Sequence, residues 1–269
     1  MSGNTHGGGE AGQVHHGLLL TFAPGERPDR ERIVEAIEQI ARATISHDPA
    51  TATGRPRHVA DLPRESRHEA QWLELLLDGL TFDLVGLAPG PPLAAPEIAH
   101  RFNCEVEDRA ELEAIGLFPG PHITHGARSL PILRALLGLG AGLADTVPAI
   151  RTVCWTPARS AIAPQFFVRS VRSWLDGGPF PALGMLGLWF DDRGALRSEG
   201  LHFLKGSELM LDPALTEDRA AAMRLAVRIV HELIGAELPR SERELLTEAG
   251  DLLILAKEPA AAVIAVRPG

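Results

Sequence analysis

The spacing of apolar positions along this chain predicts alternating strands and helices. Residues 17–23 form a short apolar run that a Pro-Gly turn ends, as is typical of a buried strand. Ile33, Ile37 and Ile40 then recur at three- and four-residue spacing, as on one face of a helix. We therefore predict a strand at 17–23 and a helix from Pro28 to about Thr44, in which the proline suits the first turn.

The segment 66–79 has the features of a second helix. Ser66 and Glu69 form a capping box, in which each side chain accepts a hydrogen bond from an otherwise unpaired amide of the first turn. Gly79 is expected to end this helix. Its apolar side would carry Trp72, Leu73, Leu76 and Leu77.

Loops and strands are expected around these two helices. Residues 46–64 are rich in Pro and Thr and predict a long exposed loop, and residues 80–90 (LTFDLVGLAPG) predict a second strand. Pro-rich residues follow at 89–96. Residues 102–108 alternate between apolar and polar, which predicts a half-buried strand. Residues 108–118 fit either a short helix or a strand.

The second half of the chain has clearer patterns. Helices are predicted over 129–144, with Ser129 as N-cap and Pro131 in its first turn, and over 164–175. Asp191 to Gly194 form a hairpin turn. Strands are predicted at 149–157, 183–190, 195–203 and 206–211.

The C-terminal region is predicted to contain one long helix and a strand pair. Thr216 is expected to cap the helix and Gly235 to end it. Residues 251–258 and 261–266 then predict an antiparallel pair. The inward face of the helix would carry Met223, Val227, Val230 and Ile234.

This order of elements predicts an α+β fold. Strand–helix units give way to hairpins, which favours mixed or antiparallel sheets with helices packed on one face over a doubly wound parallel sheet. Residues 1–16 are predicted to be a disordered tail. The rest divides into an N-terminal half over 17–120 and a C-terminal half over 121–269, either two ferredoxin-like units or one continuous domain.

The composition excludes several classes of partner. The formal net charge is −9, from 35 acids against 26 bases, and nucleic-acid binders usually carry a basic surface instead. No apolar run reaches the roughly 18 residues that a membrane span needs. Cys104 and Cys154 fit reduced thiols of a cytosolic protein. We expect a soluble cytoplasmic protein with no cofactor, no nucleic-acid or membrane partner, and an acidic surface suited to a protein partner.

Residues 120–142 hold the densest candidate chemistry. His122 and His125 suggest a metal site that His100 or Cys104 would complete, but the glycines around them favour a loop over a zinc-binding helix face. His122-Ile123-Thr124 is the triplet that two-histidine phosphoesterases use twice, one histidine as base and one as acid. The second copy is missing here, since His202-Phe203-Leu204 has no hydroxyl.

Two carboxylates are the other candidates. Glu199 and Glu208 flank a predicted strand and would serve acid–base work if they converged, although strand carboxylates commonly just face solvent. The candidates for ligand binding are therefore His122, Thr124, His125, Glu199 and Glu208, with no catalytic set and no metal site assigned.

A set of short motifs resembles a known family. Trp155-Thr156-Pro157, Trp174, the strand 186–189 and the segment 198–209 resemble an uncharacterised bacterial family, domain of unknown function 4261, over residues 129–255. Ser198 stands where that family has threonine, and Lys205 is an extra residue. The resemblance implies an α+β domain in a cytosolic bacterial protein and supplies no catalytic residues.

Two functions of different class follow. The first is a non-enzymatic binding or accessory protein, similar in kind to immunity factors, which the missing catalytic set favours. The alternative is a small-molecule hydrolase or phosphoesterase that uses the single motif at His122 and Thr124.

Overall fold

The protein has the predicted α+β architecture. In the part of the chain that the structure describes, two sheets of mixed strand direction pack with six α-helices, which confirms the fold class. Residues 1–15 of the predicted tail, the capping box at Ser66 and Glu69, and most of the 46–64 loop lie outside the described residues. The computed structural model describes residues 16–49, 71–104, 112–236, 242–247, 250–258 and 260–269.

The first sheet has eight strands in the order β2-β3-β4-β6-β1-β7-β8-β5. Neighbouring strands are antiparallel except for the β5–β8 pair, which is parallel. The strands are β1 (Leu18–Phe22), β2 (Ala43–His47), β3 (Trp72–Leu77), β4 (Leu80–Val85), β5 (His100–Phe102), β6 (Glu113–Pro119), β7 (Thr152–Trp155) and β8 (Ser160–Ile162).

The second sheet has six strands in the order β12-β13-β14-β11-β10-β9. Its β11–β14 pair is parallel, and β13 and β14 form the predicted antiparallel pair. The strands are β9 (Gly187–Phe190), β10 (Leu196–Glu199), β11 (Glu208–Leu211), β12 (Arg243–Leu246), β13 (Leu252–Glu258) and β14 (Val263–Pro268).

The described helices pack against both sheets: the first three contact strands of the first sheet, and the last two contact β11 of the second sheet. They are α1 (Arg30–Glu38), α2 (Leu130–Thr146), α3 (Pro164–Leu175), α4 (Ala182–Met185), α5 (Leu201–Lys205) and α6 (Arg219–Gly235). Leu18 and Leu20 of β1 share one large core cluster with the apolar side chains of α2 and α3. Leu19 points the other way, into a smaller cluster with Trp72 and Phe118. The first sheet thus has buried side chains on both faces, and α2 and α3 cover one of them.

Residues 72–77 form a strand, and the predicted helix at 66–79 is wrong over this range. Asp78 and Gly79 both have positive φ, 53° and 81°, as a two-residue turn between antiparallel strands requires. β3 is buried on both faces, so its apolar run has no alternation that would distinguish it from a helix. The Asp78-Gly79 pair, which is typical of a turn between two strands, predicts this region better than the apolar run does.

The first helix is shorter than predicted. It starts at Arg30, where the Asp29 carboxylate accepts a hydrogen bond from the Arg32 amide at 2.9 Å, and it ends at Glu38. Arg42 then adopts positive φ and the chain enters β2. The β-branched pair Thr44 and Ile45 suits a strand better than a helix end.

The other boundaries agree in part. α3 spans its predicted range, and Ser129 is the N-cap of α2, although its hydroxyl makes no capping bond. The long C-terminal helix is capped by Asp218, whose carboxylate accepts from the Ala220 and Ala221 amides, rather than by Thr216. The predicted strand at 195–203 ends at Glu199, since Gly200 adopts positive φ and α5 begins.

The remaining predictions concern residues 102–118 and the division of the chain into two halves. Residues 113–119 are the strand β6, whereas most of the predicted strand at 102–108 lies outside the described residues. β1 pairs with β6 on one side and β7 on the other, so the first sheet uses strands from both sides of residue 120. The division at 120 and the ferredoxin-like halves stay predictions. Within the described ranges, no helix has the length and apolar character needed to cross a bilayer.

We predict that Gly79→Ala destabilises the protein by about 1 kcal/mol, because an L side chain at positive φ is strained even where space is open. Urea unfolding measures the change. Gly235→Ala is the matched control, since a side chain there also meets nothing and its φ is not in the positive range. An equal loss in both variants would contradict the turn assignment.

Candidate functional site

A cavity of about 740 Å³ lies on the face of the first sheet that α2 does not cover. Its floor is a row of side chains from four neighbouring strands. Thr21 of β1 faces Thr152 of β7, Cys154 of β7 faces Ala161 of β8, and Ala161 faces Arg101 of β5. The sheet register therefore brings these residues to one place from distant parts of the chain.

Small side chains keep this part of the face open. The cluster around Trp72 and Phe118 fills the same face farther along the sheet, whereas alanine, threonine and cysteine line the cavity. Residues 95–98 form one wall and residues 148–151 another. Leu93 holds the first wall to the sheet, since its amide donates to the Ala114 carbonyl at 2.9 Å.

A short hydrogen-bond chain runs along the floor. The hydroxyls of Thr21 and Thr152 are 2.6 Å apart, and the Thr152 amide donates to the Thr21 hydroxyl at 3.2 Å. The Thr152 hydroxyl is also 3.6 Å from the Cys154 sulfur. The floor thus offers hydroxyl groups that donate or accept, beside apolar methyl groups.

The lining carries more positive than negative charge. Arg101 and Arg151 contribute two guanidinium groups, and Glu26 contributes a carboxylate. Arg151 and Glu26 form an exposed ion pair at 3.3 Å. Arg101 therefore gives this cavity a local positive charge in a chain whose net charge is −9.

Both cysteines of the chain line this cavity. Cys104 is half-buried, and its thiol donates to the Ala161 carbonyl at 3.2 Å. Burial raises the pKa of the Cys104 thiol, and the Phe102 backbone and the Arg101 charge offset only part of that rise. Cys154 is buried and both side chains are thiols rather than a disulfide.

The candidates in the 120–142 segment do not join this site. His122 and His125 are exposed, on the turn that leads from β6 into α2. The Thr124 hydroxyl donates to the Gly120 carbonyl at 2.9 Å, so it stabilises the turn. His100, offered above as a further metal ligand, lies at the far edge of the sheet on β5. In the described part of the chain, no three potential metal ligands come together.

Glu199 connects the two sheets. Its carboxylate accepts hydrogen bonds from His100 at 2.8 Å and from Arg159 at 2.5 Å. Arg159 also pairs with Glu97 at 2.8 Å. Burial alone would raise the pKa of Glu199, but the bonds from Arg159 and His100 outweigh it and the pKa is lowered.. Glu199 is thus ionised at neutral pH and links β10 of the second sheet to the edge strand β5 of the first.

The Glu208 carboxylate makes hydrogen bonds within the fold. Its carboxylate accepts from the amides of Gly200, Leu201 and His202 at 2.9, 3.1 and 3.0 Å, and from the Ser198 hydroxyl at 2.5 Å. These four donors surround the start of α5. The structure therefore places Glu208 as the cap of this turn, and it does not bring Glu208 to His122 or to the cavity.

The sequence alone did not point to a buried pair of carboxyl side chains. Glu74 of β3 lies directly opposite Asp83 of β4, and the two are only 8% and 5% exposed. The Ser46 hydroxyl donates to Glu74 at 2.7 Å. Burial and the charge of Glu74 raise the pKa of Asp83 to about 7. The available signal was a single acid inside each of the apolar runs WLELLL and LTFDLV.

Comparison with known proteins identifies no relative: no family model, no curated protein and no solved structure matches this chain. The resemblance of residues 129–255 to domain of unknown function 4261 stays a prediction. The cavity beside the two cysteines is therefore the basis for a functional proposal.

Proposed function

We propose that this protein is a non-enzymatic binding protein whose ligand is a small molecule with a negatively charged group, held in the cavity. The proposal rests on the cavity. Its volume of about 740 Å³ falls in the range of roughly 300–1,000 Å³ that small-molecule sites occupy. Apolar walls and a few convergent polar groups are the usual composition of such sites.

The charge of the lining supports an anionic ligand. Arg101 is exposed at the cavity and offers a planar donor pair that fits a carboxylate or phosphate. The hydroxyls of Thr21 and Thr152 lie on the floor, where they can bind a second polar group of the ligand. Arg151 adds positive charge, although Glu26 already neutralises part of it.

The same lining gives little support for catalysis. Among its described residues there is no histidine, and its carboxylate, Glu26, is paired with Arg151. General acid–base catalysis needs a positioned group with a suitable pKa. The alternative hydrolase at His122 and Thr124 has less support than cavity binding, because the Thr124 hydroxyl already donates to a backbone carbonyl.

The proposal predicts charge-selective binding that depends on Arg101. Small carboxylates and phosphate monoesters, each with a neutral amide or alcohol counterpart, are titrated while backbone amide signals are followed by NMR. We expect the anions to shift signals of the cavity lining, and Arg101→Gln to weaken their binding about tenfold, because a charged hydrogen bond of about 1.4 kcal/mol is lost.

Arg169→Gln is the matched control, since Arg169 is exposed on α3 and does not line the cavity. Anion binding that survives Arg101→Gln unchanged would contradict the charged-group assignment. If no compound of either charge shifts the cavity signals, the binding function itself is wrong. Hydrolysis of a phosphate monoester that His122→Ala abolishes would favour the enzymatic alternative.

A further inference from the structure

We propose that Cys104 and Cys154 form a peroxide-sensitive thiol pair, which closes to a disulfide at the cavity. This modification site goes beyond ligand binding and does not depend on it. The starting observation is that the only two cysteines of the chain, fifty positions apart, line one cavity and pack in one apolar cluster.

Cys154 is fixed by the ladder of the first sheet. It lies directly opposite Ala161 in the antiparallel β7–β8 pair, where opposed Cα atoms are about 4.5–5.5 Å apart. Its side chain is on the cavity face, together with that of Leu19 from β1. The sulfur therefore sits beside Ala161 at the cavity floor.

Cys104 reaches the same residue from the other side of β8. β5 ends at Phe102, and Asn103 adopts positive φ of 55°, which turns the chain out of the strand direction. The Cys104 sulfur then lies 3.2 Å from the Ala161 carbonyl oxygen. Ala161 is thus the cross-strand neighbour of Cys154 and the hydrogen-bond partner of Cys104, and this shared neighbour is the geometric basis for proposing that the two sulfurs can be joined.

The cavity supplies access for a small oxidant. Cys154 is buried in the fold, but it and Cys104 both line a space far larger than a hydrogen peroxide molecule. Cys104 is the more exposed of the two and the natural first target. Burial raises the pKa of its thiol, so the reactive thiolate is scarce at neutral pH and forms mainly at alkaline pH.

The reaction balances with one peroxide for each pair. The Cys104 thiolate attacks a peroxide oxygen, so that an S–O bond forms, the O–O bond breaks, and the departing hydroxide takes up the thiol proton as water. The Cys154 thiolate then attacks the Cys104 sulfur. The S–S bond forms as the S–O bond breaks, and a second water leaves with the proton from Cys154.

The test treats the reduced full-length protein with hydrogen peroxide and follows its two thiols. We expect both thiols to be lost together, with a Cys104–Cys154 peptide cross-link and the loss of two hydrogens from the intact mass. The rate should increase from about pH 7 to about pH 9, as the thiolate population grows. In Cys154→Ser, a sulfenic acid on Cys104 should accumulate and react with dimedone. The wild-type protein should show little dimedone labelling.

Controls separate this outcome from simple oxidation. The same treatment in urea should yield overoxidised and intermolecular products, because the fold no longer holds the thiols together. Independent oxidation of the two cysteines in the folded protein, intermolecular disulfides, or no thiol loss at a peroxide dose that oxidises the urea-unfolded chain would each overturn the proposal. Peptide mapping of the wild-type protein decides between these results even if a serine variant folds poorly.

Discussion

Asp83→Asn is expected to stabilise the protein at about pH 8 by on the order of 2–4 kcal/mol. Asp83 faces Glu74 inside the first sheet, and burial together with that charge raises its pKa to about 7. In the unfolded chain the same carboxyl ionises at its ordinary, lower pKa. Each tenfold difference in proton affinity corresponds to about 1.4 kcal/mol, so ionising Asp83 in the fold is costly. Asparagine keeps the shape and removes that cost.

The sign of the pH dependence follows from the raised pKa. Well below pH 4, Asp83 is protonated in both states and contributes no difference. Between about pH 4 and 7, the folded state holds a proton that the unfolded state has lost, so the stability decreases as the pH rises. Above the folded pKa of about 7, the full cost is present. The variant should lack this decrease.

Urea unfolding of the wild-type protein and the variant across this pH range measures the effect. The difference between them should be smallest near pH 4 and largest near pH 8. Asp192→Asn is the matched control, because Asp192 is exposed in the β9–β10 turn. A difference that does not change with pH, or a variant that is less stable than wild type near pH 8, would contradict this account of the acid pair.

Glu208→Ala is expected to destabilise the protein by on the order of 3–5 kcal/mol. The carboxylate accepts bonds from three consecutive backbone amides and from the buried Ser198 hydroxyl. Alanine leaves these donors unpaired, and each unpaired buried donor costs about 1–3 kcal/mol unless water reaches it. Ser198 also accepts from the Leu209 amide at 2.7 Å, so the loss extends into β11.

Thermal and urea unfolding test this assignment. Glu208→Gln should restore part of the stability, since its amide oxygen still accepts, whereas Glu217→Ala should be close to wild type because Glu217 is exposed before α6. If Glu208 instead serves as a ligand-binding carboxylate, its removal should leave stability nearly unchanged. A wild-type unfolding curve for Glu208→Ala would therefore refute the capping role.

Some helices could be predicted from sequence alone, because their first residues and their apolar spacing are typical of helices. α3 begins at Pro164 and presents Phe167, Val171 and Trp174 inward, at helical spacing. α2 is apolar nearly all round, and it proved to be the central buried helix. In both cases the local pattern agrees with the tertiary environment, so a reading of the sequence finds the element.

The local sequence pattern predicted the wrong element where burial in the folded protein determined which residues are apolar. β3 is apolar on both faces because one face meets the helix layer and the other meets the Trp72 cluster. Such a strand has no period-two signal, so its leucines fitted a helix equally well. Thr216 and Asp218 are both good caps, and only the structure shows that Asp218 bonds to the α6 amides.

The candidate site could not be predicted from any local motif. Cys104 and Cys154 meet because β5 adds in parallel beyond β8, a non-local arrangement that leaves no spacing rule in the sequence. The densest motif, at His122 and Thr124, instead lies on an exposed turn. Residue types alone drew attention to that segment, while the sheet order determines which side chains share a cavity.

The position of β1 has a consequence for how this chain is made. β1 completes its second ladder only with β7, where Leu18 pairs with Trp155. During synthesis β1 must therefore wait for residues up to 155 before both its edges are paired. In a fragment that stops at residue 120, β1 would be an edge strand because β7 is missing, and such an edge readily pairs with another chain. We expect that fragment to aggregate and the full chain to fold late, after residue 155 has left the ribosome.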